Sequence, residues 1–461
     1  MTKRHAWPLT ISLTALLGAH ASPAIAQEVT PPPTRSATAA ASQSDRRIGD
    51  IRFASGDLRG ALDAWNRAHV PALTEITIEG LTRLRPDVVR QLLGLERGRL
   101  LDADAFTRAE HRLDELPAVT QSSLTIVRDG SDAARVEADL TERPRTPAGA
   151  IGWAAVAVHA AFVKEVHVDV ANAAGLGELL SPSYRWSTRR PRVRLRGAVP
   201  IVGPIDGTVG FDLFWEQQSY RHPASDGLVS KQERRRVAAN VSAWPTGWLR
   251  WQAGAASDRI DDRAFVAVSG ALDTRWLGDR VAAALTVERW MPTASGGARF
   301  DTRTVSIAWR STPRPHVPLW SAIAGVAAAS RAAPLAVWPG GDSGAGRGIF
   351  LRAHPLVHHD ILSGPVFGRR VGFGSVEYSR PIFSHPRGTV SLAGFADAAQ
   401  AWRRLDEAPA SLLEVDLGAG VRVDTPHASG QVRLDLAVGT RDGRLRASAG
   451  YVTRWGEGGR W

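Results

Sequence analysis

Arg347 sits on a glycine-rich stem: residues 341–355 read GDSGAGRGIFLRAHP, and Gly348 follows the arginine directly. A guanidinium is planar and can hold two carboxylates at once. Two later segments offer such partners. In VGFGSVEYSRPIF, alternation that points Val376 and Tyr378 one way points Glu377 the other. In TVSLAGFADAAQAW, Val390, Leu392 and Gly394 share a face, which leaves Phe395 and Asp397 on the opposite one. A loop that folds inward with one arginine needs such acids, because a buried charge must be paired. The chemistry expected of Arg347, Gly348, Glu377, Phe395 and Asp397 is therefore ion pairing that anchors a loop, with no bond made or broken.

Other constellations are weaker. HPLVHHD sets His354, His358, His359 and Asp360 close together, a set that could ligate a metal, but a solvated loop cluster is the expected reading. There is no G-x-S-x-G, phosphate loop or recognisable pair of catalytic carboxylates. We expect no enzyme, no cofactor and no metal site. The absence of cysteine excludes disulfides and thiolate chemistry.

These residues must be positioned by a fold at the cell surface. Lys3 and Arg4, the apolar run WPLTISLTALLGAHA and AIA before Gln27 make residues 1–26 a secretory signal peptide. No later run is long and apolar enough for a spanning helix, so a membrane role requires a closed barrel. The formal charge of +11 comes almost wholly from arginine, since Lys3, Lys164 and Lys231 are the lysines. It suits anionic lipid or the polar lining of a barrel, and the export signal argues against nucleic acid.

Residues 27–45, rich in Pro, Ala, Ser and Thr, read as a flexible linker. Residues 46–70 read as a short strand followed by an amphipathic helix, a reduced copy of the domain that follows. Residues 71–145 give strand, helix, helix, strand, strand: LTEITIEG stops at Gly80, RPDVVRQLLGL opens on Pro86, DADAFTRAEHRLDEL ends before Pro117, and two strands flank Asp129-Gly130.

From about residue 146 to 461 helical periodicity gives way to alternation. LLEVDLGAGVRVD places Leu413, Val415, Leu417, Ala419, Val421 and Val423 on one face, with Glu414, Asp416 and Arg422 on the other. QVRLDLAVG repeats the pattern with Arg433 and Asp435. No amphipathic helices remain to cover the apolar face, so lipid is its expected cover. About sixteen such segments fit, within the range of bacterial barrels, with Trp residues mostly at segment ends as interfacial girdles. Short turns (AAGLG, WPTGW, WLGD, TPHASG) alternate with longer connections such as RHPASDGLVSKQE and 338–369, the expected periplasmic and external asymmetry. The expected fold is a transmembrane antiparallel β-barrel of about sixteen strands behind a small α+β domain.

With I-x-I-x-G at Ile76–Gly80 and E-R-P at Glu142–Pro144, residues 71–145 resemble a POTRA domain. With Arg347-Gly348 on the external loop and Glu377, Phe395 and Asp397 on the next two strands, the mature chain resembles the BamA/TamA superfamily of outer-membrane barrels. Their sixth external loop packs an arginine-glycine-aromatic tip against an F-x-D-x-G strand and a glutamate on the strand before. Gly346 and Ile349 depart from the family's Val/Ile and Phe/Tyr, and Ala399 replaces the last glycine. RLRASAGYVTRW resembles the C-terminal aromatic signal of such barrels, with Tyr451, Trp455 and Trp461 as its candidate residues.

The resemblance implies assembly, insertion or translocation of other proteins at the outer membrane, with the N-terminal domain in the periplasm. A two-partner-type secretion pore and a passive porin-like barrel are the alternatives. Implied partners are the membrane itself (lipopolysaccharide and phospholipid), client or exported proteins, and periplasmic chaperones as further candidates.

Overall fold

The structure is a computed structural model that describes residues 35–453, apart from short stretches at 148–152, 154–155, 158–159, 161–163, 222–228, 296, 313–316, 344–346, 386–387, 406–409 and 425–429. No helix among the described residues is long and apolar enough to cross a membrane. The signal peptide, Trp455 and Trp461 lie outside the described residues, as does most of the first barrel strand expected near 148–159, whose described residues Trp153, Val156 and Ala157 are helical instead; of Tyr451 only the backbone is described.

The chain begins with two helices, α1 (Arg35–Ala54) and α2 (Leu58–Arg67), where sequence reading expected a linker to 45 and a strand near 51. Two forces override that reading. The alanine-rich start carries the strongest helix former, and the later turns gain a tertiary partner in Trp65. Phe53 lies 5.4 Å from the Trp65 ring, Asp50 accepts its indole N–H at 3.0 Å, and Arg128 covers it at 5.1 Å. A side chain at Gly49 would strike that indole at 2.2 Å, so glycine lets the helices touch. Helix α2 starts at Asp57, whose carboxylate accepts from Gly60 N–H, and buries Ala61, Leu62, Ala64 and Trp65.

The next unit runs β1 (Ala72–Glu79), α3 (Pro86–Leu93), α4 (Ala103–Asp114), β2 (Val119–Arg128) and β3 (Ala133–Glu142), with sheet order β1-β3-β2. Strand β3 is central, parallel to β1 and antiparallel to β2. Val89, Leu92, Phe106, Leu113, Val136 and Leu140 form the core with Leu62 and Trp65 of the preceding helix, so residues 46–70 belong to this domain and are no separate module. Pro86 opens α3, Gly94 closes it in the left-handed region at φ +61°, and Asp102 caps α4.

Glu142, the first residue of the E-R-P signature, closes this domain. Its carboxylate accepts from the N–H groups of Thr82, Arg83 and Leu84 at 2.8–2.9 Å and from the Thr82 hydroxyl at 3.0 Å. Burial pushes its pKa up, but the converging backbone donors outweigh burial and hold it below the usual carboxylate value. The resulting stability is present above the unfolded carboxylate pKa and lost as pH falls through the depressed one. Glu142→Gln is expected to cost about 1.5–3 kcal/mol, the worth of charge-assisted hydrogen bonds. Hydrogen exchange at Thr82–Leu84 in the full chain checks it; unchanged protection in the variant would remove the carboxylate from this role.

The rest is one large, mostly antiparallel sheet. Its strands are β4 (Glu165–His167), β5 (Val170–Ala171), β6 (Leu179–Arg185), β7 (Arg192–Ile201), β8 (Gly207–Arg221), β9 (Val229–Ala243), β10 (Leu249–Ile260), β11 (Arg263–Trp276), β12 (Val281–Pro292), β13 (Phe300–Arg310) and β14 (Leu319–Ala329). After an inserted segment come β19 (Gly368–His385), β20 (Gly388–Arg404), β21 (Glu414–Asp424), β22 (Gly430–Gly439) and β23 (Leu445–Thr453). From β6 onward each strand pairs with the next, and β14 pairs directly with β19 across the insertion. One face exposes apolar side chains, among them Val237 at 57%, Val305 at 55% and Leu434 at 53%. The other buries charge: Arg185, Arg250, Asp258, Asp397, Asp416, Arg422, Arg433 and Asp435 are all under 10% exposed.

The small domain sits against the short turns. Arg85 N–H donates to Gly175 O, Arg108 reaches Pro245 O at 2.9 Å, and Asp104 accepts from Gly247 N–H at 2.7 Å. Arg112 pairs with Asp206 at 3.1 Å, and Glu115 with Arg250 at 2.6 Å. Three turns read as short from sequence, AAGLG, WPTGW and WLGD, thus face the N-terminal domain, TPHASG lies almost wholly outside the described residues, and the inserted segment leaves the sheet at the opposite end.

Candidate functional site: the anchored inner segment

Residues 330–367 fold back over the charged face. The segment carries four short strands, β15 (Gly341–Asp342), β16 (Ile349–Phe350), β17 (Val357–His358) and β18 (Ile361–Leu362). Strands β15 and β16 pair in parallel, and β18 reaches across to Tyr220 of β8. Asp342, fully buried, organises the backbone by accepting from Leu356 N–H at 2.9 Å and Arg347 N–H at 3.4 Å. Ile349, Leu351 and Val366 pack on Ala327, Val371, Ala399 and Ala401 of the wall. Ala399, which replaces the glycine of the strand motif, is used in this packing. Farther along, Tyr220, Trp290, Phe300, Trp338, Leu356 and Phe367 form a second apolar cluster between segment and wall.

The arginine that meets the acids is Arg352. Its Nη1 lies 2.9 Å from Glu377 Oε2, its Nε 3.2 Å from Asp397 Oδ2, and Asp435 stands 3.8 Å away. Its guanidinium lies flat over Phe395, 3.8 Å from the ring centre, and 5.1 Å from that of Phe350. Arg347 is elsewhere. Its Nη2 donates to Ala336 O at 3.1 Å, and among the described residues no carboxylate lies within ion-pair distance of its side chain. Gly348 has open space where a side chain would stand, so contact there does not require glycine. The acids and Phe395 lie on the inner face as expected; the arginine expected to meet them is replaced by one five positions later.

Leu351-Arg352-Ala353-His354 has an apolar residue before the arginine, a small residue after it and a ring next. His354 is itself anchored, 1% exposed. Its Nδ1 lies 2.6 Å from Asp416 Oδ1, and its Nε2 lies 3.3 Å from Asp442 and 3.5 Å from Glu414. Both ring nitrogens face carboxylates, the arrangement of a doubly donating imidazolium. Ala353 N–H completes the hold, donating to Asp416 Oδ2 at 2.5 Å. Gly439 makes room for the ring: a Cβ there would lie 2.5 Å from His354 Cε1.

Two wall arginines finish the network. Arg422 takes Glu377 with two nitrogens, at 2.8 and 2.7 Å, and Asp435 at 2.6 Å. Arg433 pairs with Asp435 at 2.6 Å, donates to Ser343 O and covers Phe350 at 4.4 Å. Ser375 donates its hydroxyl to Asp397 at 2.7 Å. Three guanidiniums thus meet three carboxylates, so the charges of this water-poor cluster balance. Arg352, His354, Arg422 and Arg433 were missed as site residues. The signal was present in part: Arg422, Arg433 and Asp435 fall on inward positions of their strands.

The histidine cluster disperses. His354 goes to the wall, Asp360 pairs with Lys164 at 3.2 Å and His358 faces Arg446 at 3.4 Å; among the described residues no metal-binding group forms. The arrangement fastens residues 330–367 to the wall through buried ion pairs that are costly to separate.

No family model matches the chain, and no curated protein matches it. Among solved structures, CdiB from Escherichia coli is similar over 94% of this chain and 92% of its own, with a TM-score of 0.51 at 13% sequence identity. BamA from Haemophilus ducreyi lacking POTRA domains 1–3 covers 83% of this chain and 84% of its own at 12% identity and a TM-score of 0.45. CdiB from Acinetobacter baumannii covers 86% and 81% at 10% identity and 0.46. The likeness to Escherichia coli CdiB is one of fold: this chain is built on one large, mostly antiparallel sheet of many strands with few helices.

Proposed function

We infer that the protein is an outer-membrane barrel that inserts or translocates other polypeptides. The exposed Val and Leu face suits lipid, the charged face suits a lumen, and a strand order that returns from β23 to β4 supports closure. The α/β unit of residues 72–142 acts as a POTRA-like periplasmic domain, held against the turns where a client would arrive. Its order of strands and helices, and its place beside those turns, support this.

The observation that carries the reading is the segment of residues 330–367 laid over the inner face and held by Arg352 and His354. A passive porin keeps its lumen open to water, whereas here a segment is fastened over the charged face by both apolar and ionic contacts. A plug latched by ion pairs belongs to a barrel that changes state when a polypeptide engages. Depletion followed by quantitative proteomics of the outer membrane and the medium tests this. Broad loss of barrel proteins is the outcome expected for insertion, and loss of one exported protein the outcome expected for translocation. Unchanged proteomes in both fractions would overturn the reading.

A further inference from the structure

The apolar outer face has a charged arc on one half only. Arg235 on β9, Arg259 on β10, Arg289 on β12, Arg303 on β13 and Arg370 on β19 are exposed. The cross-strand register puts them on the same face as the exposed valines. Arg259 opposes Arg235, Arg289 opposes Val268, Arg303 opposes Val287, and Ala328 opposes both Arg303 and Arg370. Three acids share this end of the face: Glu233 lies 2.7 Å from Arg235, Asp301 2.8 Å from Arg303, and exposed Asp261 stands opposite Glu233. Five guanidiniums and the exposed Lys231 on the same side of β9, against three carboxylates, leave the arc positive. On the other half, the corresponding strand ends carry Leu445 at 65% exposure and Tyr184 and Val193 at 50% each.

The arc also has a defined height. From Trp251 to Arg259, or from Tyr378 to Arg370, is roughly 26 Å of strand at about 3.3 Å per residue. With the usual tilt of roughly 40° this is about 20 Å of depth, most of an apolar band about 25 Å tall. Arginine stems extend further toward the polar boundary. The arc lies at the end remote from the N-terminal domain, the outer leaflet in the reading above, on which this inference rests.

Arg235 and Arg259 stand directly opposite each other, a placement in which like charges repel. A multivalent anion between them reverses the sign of that contact. Adjacent strands are about 4.8 Å apart, so the arc from β9 to β13 is roughly 20 Å wide, more than one phosphodiester can bridge. We propose that this arc is a docking surface for a glycolipid headgroup bearing two phosphates, seated on Arg235, Arg259 and Arg289. Such a lipid places its chains on the valine face below and its phosphates among the guanidiniums.

The test reconstitutes the full chain into phosphatidylcholine nanodiscs containing equal minor fractions of bisphosphorylated lipid A and phosphatidylglycerol. Native mass spectrometry then reads the lipids retained by the released protein. The wild type is expected to retain lipid A in preference to phosphatidylglycerol by about tenfold or more, and the R235Q/R259Q/R289Q variant to lose that preference. Heat-modifiable migration confirms that the variant is folded, since all three positions are exposed. Equal retention by wild type and variant overturns the proposal, as does equal retention of the two lipids by the wild type. Failure of the chain to enter the bilayer overturns the membrane reading and this inference with it; insertion without lipid preference overturns this inference alone.

Discussion

Replacing Arg352 with alanine is expected to release the inner segment from the wall, while Arg347→Ala leaves it in place. The contrast follows from what each side chain touches. Arg352 is 3% exposed and shares Glu377, Asp397 and Asp435 with two other arginines. Its removal leaves three carboxylates facing two guanidiniums in a water-poor space, at a cost of about 3–5 kcal/mol. The cation lost from the face of Phe395 adds to this by roughly 1–2 kcal/mol. Arg347 contributes one hydrogen bond to a carbonyl, worth about 1 kcal/mol. Protease accessibility of residues 330–367 in the folded protein measures the difference, and the temperature at which heat-modifiable migration is lost gives its size. Arg352→Lys separates charge from geometry: a lysine keeps the cation but cannot bridge Glu377 and Asp397 with a rigid fork, so partial release is expected. Equal accessibility in the two alanine variants would show that the segment is held by its apolar contacts and not by this arginine.

The difference between Arg347 and Arg352 also shows what sequence reading can reach. Alternation along β19 and β20 is strict, so the inward placement of Glu377, Phe395 and Asp397 follows from period two alone. The loop has no such period. Two arginines five residues apart in a flexible stretch have similar reach, and glycine content favours the wrong one. Packing decides: Leu351 at 0% exposure pulls its end of the loop onto the wall and takes Arg352 to the acids. The helical start at Arg35 was obscured for a related reason. A run of Ala, Ser and Thr is compatible with a tether until Trp65 supplies the surface against which α1 packs. The strand-helix-helix-strand-strand order of residues 72–142 was legible because each boundary carries its own local chemistry, from Pro86 and Asp102 to the turn at Gly130.

The second large effect is expected at Asp279, in the turn between β11 and β12, which no motif singles out. Its carboxylate takes Arg59 of α2 at 2.7 Å and His111 of α4 at 3.1 Å, tying two helices of the N-terminal domain to the large sheet. Burial pushes its pKa up, but the His111 ring N–H and the Arg59 guanidinium prevail and hold it well below the ordinary value. Burial keeps His111 itself toward the neutral form, so it serves as a donor and Arg59 supplies the compensating charge. The ring packs tilted against Trp244, centroids 4.2 Å apart, and Arg275 lies over that indole at 4.7 Å. Asp279 has φ +63°, so alanine would add backbone strain to the loss of charge. Asparagine tolerates that conformation and isolates the electrostatic part. Asp279→Asn is expected to weaken the attachment by about 2–3 kcal/mol, because Arg59 keeps Glu110 at 2.8 Å while the buried contact to the turn loses its charge. Limited proteolysis between residues 143 and 165 reads the loosened junction, and exchange at the α4 amides reads the exposed interface. The variant should leave protection of residues 330–367 unchanged, since that segment lies at the far end of the sheet. Loss of protection at both ends would mean that the two attachments act as one cooperative unit; no change at the junction would remove Asp279 as the tie between domain and sheet.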